Sequence, residues 1–287
     1  MKVKRHLLLA ILLLPAASQA QQTVPRPMNA ADLIDLQRAS NPLPSPDGSE
    51  IIYKIRSANW TRNRSTARSW RISDTRIPER VRELKGEISW APDGKSIAFA
   101  TKPKGGKYAQ IHLYMPGEKV RQLTHLRSSA SKLSWSADGK RIYFLADKPN
   151  NPETAARIKA KDDIFAFEAP RRRATLNYLD VASGQVVTVV SGDLDVRSFS
   201  MANADGKILL RIAPTRLLDD QPQSELWFLT PETGIRRRLT KNDYREDDAR
   251  LAPDGGSALF IANASRGPYA TVNRGLFVMR TANARIP

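Results

Sequence analysis

Cysteine is absent from all 287 residues. The chain can therefore form no disulfide, offer no thiol nucleophile, build no cysteine-type zinc site and carry no lipoprotein anchor on a cysteine. Histidine is almost as scarce, with three in the whole chain. Long apolar runs are missing too. The longest, Leu7–Leu14, has eight residues, far short of the roughly 20 that cross a bilayer. Acidic residues are outnumbered, 29 against 46 basic ones. A core held without disulfides must be apolar, and about 265 residues are enough to build one.

What is present begins with a secretory pattern. Lys2, Lys4 and Arg5 precede the apolar run, Pro15 breaks it, and Ser18-Gln19-Ala20 places small residues where a signal peptidase reads. Residues 1–20 are thus expected to be a signal peptide cleaved near Ala20, giving a periplasmic or secreted protein that starts at Gln21. The net charge is +17, of which Lys2, Lys4 and Arg5 carry three, leaving +14. Such a balance attracts polyanions without specificity. The basic residues are scattered, however, and only Arg171–Arg173 and Arg236–Arg238 form runs. A solvated basic surface is the expectation, with no specific nucleic-acid partner and no transmembrane segment.

One short pattern recurs five times: Ser45-Pro46-Asp47-Gly48, Ala91-Pro92-Asp93-Gly94, Ser136-Ala137-Asp138-Gly139, Asn203-Ala204-Asp205-Gly206 and Ala252-Pro253-Asp254-Gly255. The glycines stand 46, 45, 67 and 49 residues apart. An insertion of about 20 residues, over roughly 147–170, brings the third interval to the common period. Alternating apolar residues follow each turn, as in Ile97 and Phe99 or Ile142 and Phe144, which is the period of a strand with one side chain in two on each face. Trp90, Trp135 and Leu251 stand four residues before their glycines, in the preceding strand. Asp-Gly between two such runs signals a hairpin. A second hairpin follows in each repeat, for example through Pro116-Gly117, Ser183-Gly184 and Thr233-Gly234. Four short strands per period of about 45 residues predict an all-β chain, a β-propeller of four-stranded blades. About five blades are visible, the fifth only as far as Leu276–Met279, so the propeller is expected to be incomplete. A 21–43 segment holding a short helix, Ala30 to about Arg38, leads into the propeller at 44–287.

The Ser-Pro-Asp-Gly pattern with its alternating strand resembles the TolB-type propeller repeat, which also builds the N-terminal domains of prolyl oligopeptidases, dipeptidyl peptidases and acylaminoacyl peptidases. Ala31–Ser40 running into Pro44–Gly48 looks like the helix and first blade of the peptidases. The stretch Lys161–Glu168, followed by Arg171–Leu179 and Asp180–Gly184, resembles their third-blade region. The resemblance spans about Met28 to Met279. Those enzymes continue into an α/β-hydrolase domain with a Gly-x-Ser-x-Gly elbow and downstream Asp and His. Here Gly255-Gly256-Ser257-Ala258-Leu259 fails at its last position, and beyond the signal segment only His112 and His125 remain. No triad can be assembled, so the chain alone is expected to be no enzyme and to need no cofactor. It would be either a truncated product or a relative that closes with fewer blades.

The resemblance implies a substrate-gating propeller whose partners are peptides and an α/β-hydrolase domain. The other reading is a stand-alone periplasmic TolB-like propeller that binds a protein partner. In dipeptidyl peptidases, acidic residues on a propeller insertion bind the substrate's amino terminus, a carboxylate pairing with an ammonium. Glu168, Asp162 and Asp163 occupy a comparable insertion here, and Arg171 with its neighbours could take a substrate carboxylate. Against these roles stands ordinary solvation of charged loop residues. Asp47, Asp93, Asp138, Asp205 and Asp254 each sit alone in a hairpin. A structural role in the turn fits them better than calcium, which needs six to eight converging oxygens. His112, alternating with Ile111 and Leu113, is expected to face solvent, and Trp90 and Trp135 to be core.

Overall fold

A computed structural model describes residues 26–74, 76–162, 172–190, 192, 194–202, 206–241, 244–263 and 273–282. The signal segment 1–20 lies outside them, as do Asp163, Glu168, Arg171 and Asp205. The described residues form five antiparallel sheets that follow one another along the chain. The first holds β1 (Arg38–Pro44), β2 (Ile51–Asn59), β3 (Arg64–Ile72) and β4 (Glu79–Arg80), and the second β5 (Glu87–Trp90), β6 (Ile97–Thr101), β7 (Gln110–Tyr114) and β8 (Arg121–Gln122). The third holds β9 (Ala130–Trp135), β10 (Arg141–Asp147), β11 (Ala174–Asp180) and β12 (Val186–Val190). The fourth holds β13 (Asp195–Met201), β14 (Ile208–Ala213), β15 (Glu225–Thr230) and β16 (Ile235–Arg238), and the fifth β17 (Asp247–Leu251), β18 (Ser257–Asn263) and β19 (Arg274–Arg280). Strands pair in chain order within every sheet, and β5, β9, β13 and β17 lie against one another in succession. This is a five-bladed β-propeller with the first strands of blades two to five innermost.

The core lies between blades. Ile52, Val81, Trp90 and Phe99 join the first blade to the second. Ala98, Ile111, Ile142 and Phe144 join the second to the third, Leu145, Leu176, Ile208 and Leu210 the third to the fourth, and Leu209, Leu226, Ala258 and Phe260 the fourth to the fifth. Each fully buried leucine, isoleucine or phenylalanine among them contributes roughly 1.5–3 kcal/mol. Because central blades are covered on both faces, their strands are buried at successive positions rather than at alternate ones, as in the first four residues of β6 and β7 and all of β14. That corrects the expectation for His112, which is buried and stacks on Phe99 with ring centroids 5.2 Å apart. Its Nδ1 lies 3.0 Å from the Gln110 carbonyl. Trp90 and Trp135 pack against these clusters, and each indole N–H donates to a carbonyl of the preceding blade, Leu43 or Ser89, at 3.2 Å.

Two local differences have plain causes. The first helix, α1 (Ala30–Asp35), has Asn29 and Asp32 in a reciprocal capping box but stops short of Arg38. Leu36 leaves the helical region at ψ 117°, and the chain from Arg38 pairs with β2 instead. The first blade therefore begins ahead of residue 44. Within the insertion a second helix forms, α2 (Pro152–Lys159), where the Asn151 side chain accepts from Thr154 N and Pro152 supplies the fixed φ of a first turn.

The two rims of the propeller differ. One carries the Asp-Gly turns and the short turns between third and fourth strands. In these turns Asp47, Asp93, Asp138 and Asp254 each accept a backbone N–H two residues on, at 2.8–3.1 Å, while Gly94 sits at φ 66°, the left-handed region that glycine occupies without strain. The other rim carries the links between second and third strands, including the insertion, and the crossovers from blade to blade.

Candidate functional site

The long-link rim gathers charge where blades three, four and five meet. Asp147 ends β10, Asp195 opens β13 and Asp247 opens β17. Asp195 is fully buried and both its oxygens are engaged. Oδ1 accepts from Ala174 N at 2.6 Å and Arg216 Nε at 3.0 Å, and Oδ2 from an Arg197 guanidinium nitrogen at 3.0 Å. Arg216 also bonds Asp147, whose other oxygen lies 3.8 Å from Arg172. Asp247 binds Arg211 at 2.8 Å, Arg245 at 2.8 Å and Arg274 at 2.6 Å.

A cavity of about 180 Å³ opens between blades three and four. Its charged walls are Lys132, Arg197, Arg211 and Arg216, against Asp147 and Asp195. Two β-bulges shape it. The pairing of β9 with β10 slips at Lys132, which adopts φ 56°, and that of β13 with β14 slips at Arg197. Bulges re-aim side chains, and here both bulged residues are cations lining one cavity. Burial pulls the Arg211 guanidinium below its usual basicity, opposed mainly by Asp247. Burial also works against charged Arg216, but the bonds it donates to Asp147 and Asp195 prevail and raise it. An arginine stays protonated in either case, so the cavity is cationic at all working pH values. A second hollow of about 380 Å³ lies beside it, toward Val186 and Thr188 on the outer edge of blade three.

Of the residues singled out in the sequence, Asp162 is the one insertion carboxylate among the described residues. It stands just past α2 and accepts from Arg157 Nε at 2.8 Å. Asp163, Glu168 and Arg171 lie outside the described residues. Asp147, Asp195, Arg197, Arg211, Arg216 and Asp247 escaped sequence reasoning. A signal existed, since Glu87, Asp195 and Asp247 all open the first strand of a blade. Yet they precede their Asp-Gly glycines by seven, eleven and eight residues, because bulges and turns of unequal length spoil the register.

No group of three or more His, Cys, Asp or Glu side chains among the described residues is placed to hold a metal ion. No described helix is long and apolar enough to cross a membrane.

The fold is shared with peptidase propellers and with TolB. An uncharacterized peptidase, YuxL, from Bacillus subtilis (strain 168) is 23% identical over 258 residues, which are 88% of this chain and 34% of that protein. The chain thus spans about a third of the length of that relative. Acylaminoacyl peptidase from Pyrococcus horikoshii superposes with a TM-score of 0.60 at 14% identity, over 85% of this chain and 38% of the enzyme. A TolB-type protein from Agrobacterium tumefaciens gives 0.55 at 18% identity, over 85% of this chain and 78% of its own. No family model matches the chain.

Proposed function

We propose that the chain is the non-catalytic, substrate-gating propeller of an exported prolyl-oligopeptidase-type serine peptidase, acting beside an α/β-hydrolase domain. One observation carries this reading: the likeness to two peptidases runs through nearly the whole chain but little more than a third of either enzyme. A propeller set over a hydrolase would admit short or unstructured peptides and orient their ends, and the charged long-link rim offers groups that hold peptide termini.

The test is a chimera in which this chain replaces the matching third of the Bacillus relative. The chain alone should leave short peptide substrates intact. The chimera should cleave peptides of a few residues and spare a folded or long one. Hydrolysis by the isolated chain, or equal cleavage of short and long substrates by the chimera, overturns the reading. A stand-alone protein-binding propeller is favoured by a different fact, the 78% of the TolB-type chain that this one spans. Under that reading the propeller captures a protein partner and gives the chimera no size selection.

A further inference from the structure

We propose that the cavity between blades three and four is a carboxylate subsite, which takes the free C-terminal carboxylate of a short peptide. Four cations line it, and its own two carboxylates cannot neutralise them all. Asp195 is saturated by Arg197, Arg216 and the Ala174 N–H, and Asp147 is shared between Arg216 and Arg172. Lys132 lines the cavity, is exposed, and makes no ion pair among the described residues. Arg211 spends one guanidinium nitrogen on Asp247 and the Glu246 carbonyl at 2.8 and 3.1 Å. Its Nε is buried without a hydrogen-bond partner, on a side chain only 10% exposed. At the edge of the same network, Arg172 holds a second buried nitrogen with no partner.

Buried N–H groups are rarely left unmatched, because an orphaned donor forfeits its bond to water. An incoming oxyanion balances the cationic excess, and a small turn of the Arg211 side chain gives its Nε–H an acceptor there. At Lys132 the bulge, with φ 56°, is held by the Glu87 carboxylate, which accepts from the N–H groups of Lys132 and Leu133 at 2.8 and 3.2 Å.

The size and lining choose among anions. At about 30 Å³ per water, the cavity holds roughly six waters, which suits a carboxylate with its adjoining residue. Leu145 and Val196 in the wall give a small apolar surface for that residue's side chain. That an oxyanion binds follows from the cavity alone; that it belongs to a peptide rests on the peptidase reading.

Calorimetric titration of the chain with N-acetyl-trialanine, its C-terminal amide and inorganic phosphate tests this. The acid should bind and the amide should bind at least about tenfold more weakly, a loss of about 1.4 kcal/mol. Lys132→Asn keeps a residue that tolerates the left-handed backbone while removing the charge, and should weaken the acid by a similar factor with no change in thermal midpoint. Arg211→Lys keeps the charge but removes the Nε–H, and should also weaken the acid. Equal binding of acid and amide, or no binding of either, overturns the subsite and leaves gating by the chimera standing. Phosphate binding that the acid does not displace overturns the peptide assignment. Loss of size selection in the chimera, with acid-specific binding intact, sinks the gating role alone.

Discussion

Asp195 shows how much one side chain can hold when it is buried between blades. It ties the backbone of β11 to Arg197 and Arg216, so its removal leaves Arg197 and an amide without this acceptor and Arg216 with Asp147 alone. Breaking a buried pair from one side typically costs about 3–5 kcal/mol. Both arginines keep about a quarter of their side-chain surface in water, so Asp195→Ala should fall at the lower end, about 3 kcal/mol, read from the urea unfolding midpoint. His112 gives a pH-dependent counterpart. Burial lowers its pKa below the usual value, outweighing the bond to Gln110. The folded state therefore binds fewer protons than the unfolded one, and the contribution of neutral His112 is present above about pH 6.5 and lost as pH falls through that region. Unfolding midpoints should drop between pH 7 and 5, and His112→Phe should flatten that slope. Neither residue's role was legible in the sequence. Alternation around His112 looked like a half-exposed strand, and the partners of Asp195 come from three separate segments.

The Asp-Gly hairpins are the elements that the sequence shows most clearly, because their demand is local. A turn needs positive φ at one position and an acceptor for a neighbouring N–H, and the dipeptide supplies both. In Gly94→Ala a Cβ would meet no atom nearer than 3.9 Å, so its cost is the left-handed backbone alone, about 1–2 kcal/mol, measurable by thermal denaturation. The aspartates make the same hairpins acid-sensitive. Bonds from Ser45 and Ser49 lower the pKa of Asp47, and the Ser136 hydroxyl and Lys140 N–H lower that of Asp138. For Asp93 burial pushes the other way, but the Ser96 and Lys95 bonds win and lower it. A depressed carboxylate stabilises the fold above its unfolded pKa near 4 and loses that contribution as pH falls below it. Stability should therefore decline from about pH 4 downward, and Asp93→Asn should make the decline shallower. Helix α2 was less legible. Its Asn-Pro start is a sound signal, but it lies in a stretch recognised only as an interruption of the repeat.

For the whole molecule, the number of interfaces is the informative quantity. Five blades are joined by four apolar clusters, and among the described residues no fifth cluster links the last blade to the first. The faces left over are apolar. In the fifth blade Ala258 and Phe260 pack on blade four, so the alternate positions Leu259 and Ile261 face away, and they pair across the strands with Val278 and Leu276. Leu276 is 67% and Val278 71% exposed. At the other end Ile52 faces blade two, which turns Ile51, Tyr53 and Ile55 outward, opposite Ile72, Trp70 and Arg68. Repeat spacing could count the blades but not reveal which faces lack cover, since the strands of every blade carry the same alternation. Contiguous exposed apolar surface drives association, and strand edges beside it add unpaired backbone groups. The isolated chain should therefore self-associate with rising concentration, as seen by sedimentation velocity. The double substitution Leu276→Glu with Val278→Glu should suppress that association. It should leave the unfolding midpoint nearly unchanged, because both side chains already face water. If both variants associate alike, the apolar end face is not what draws the chains together.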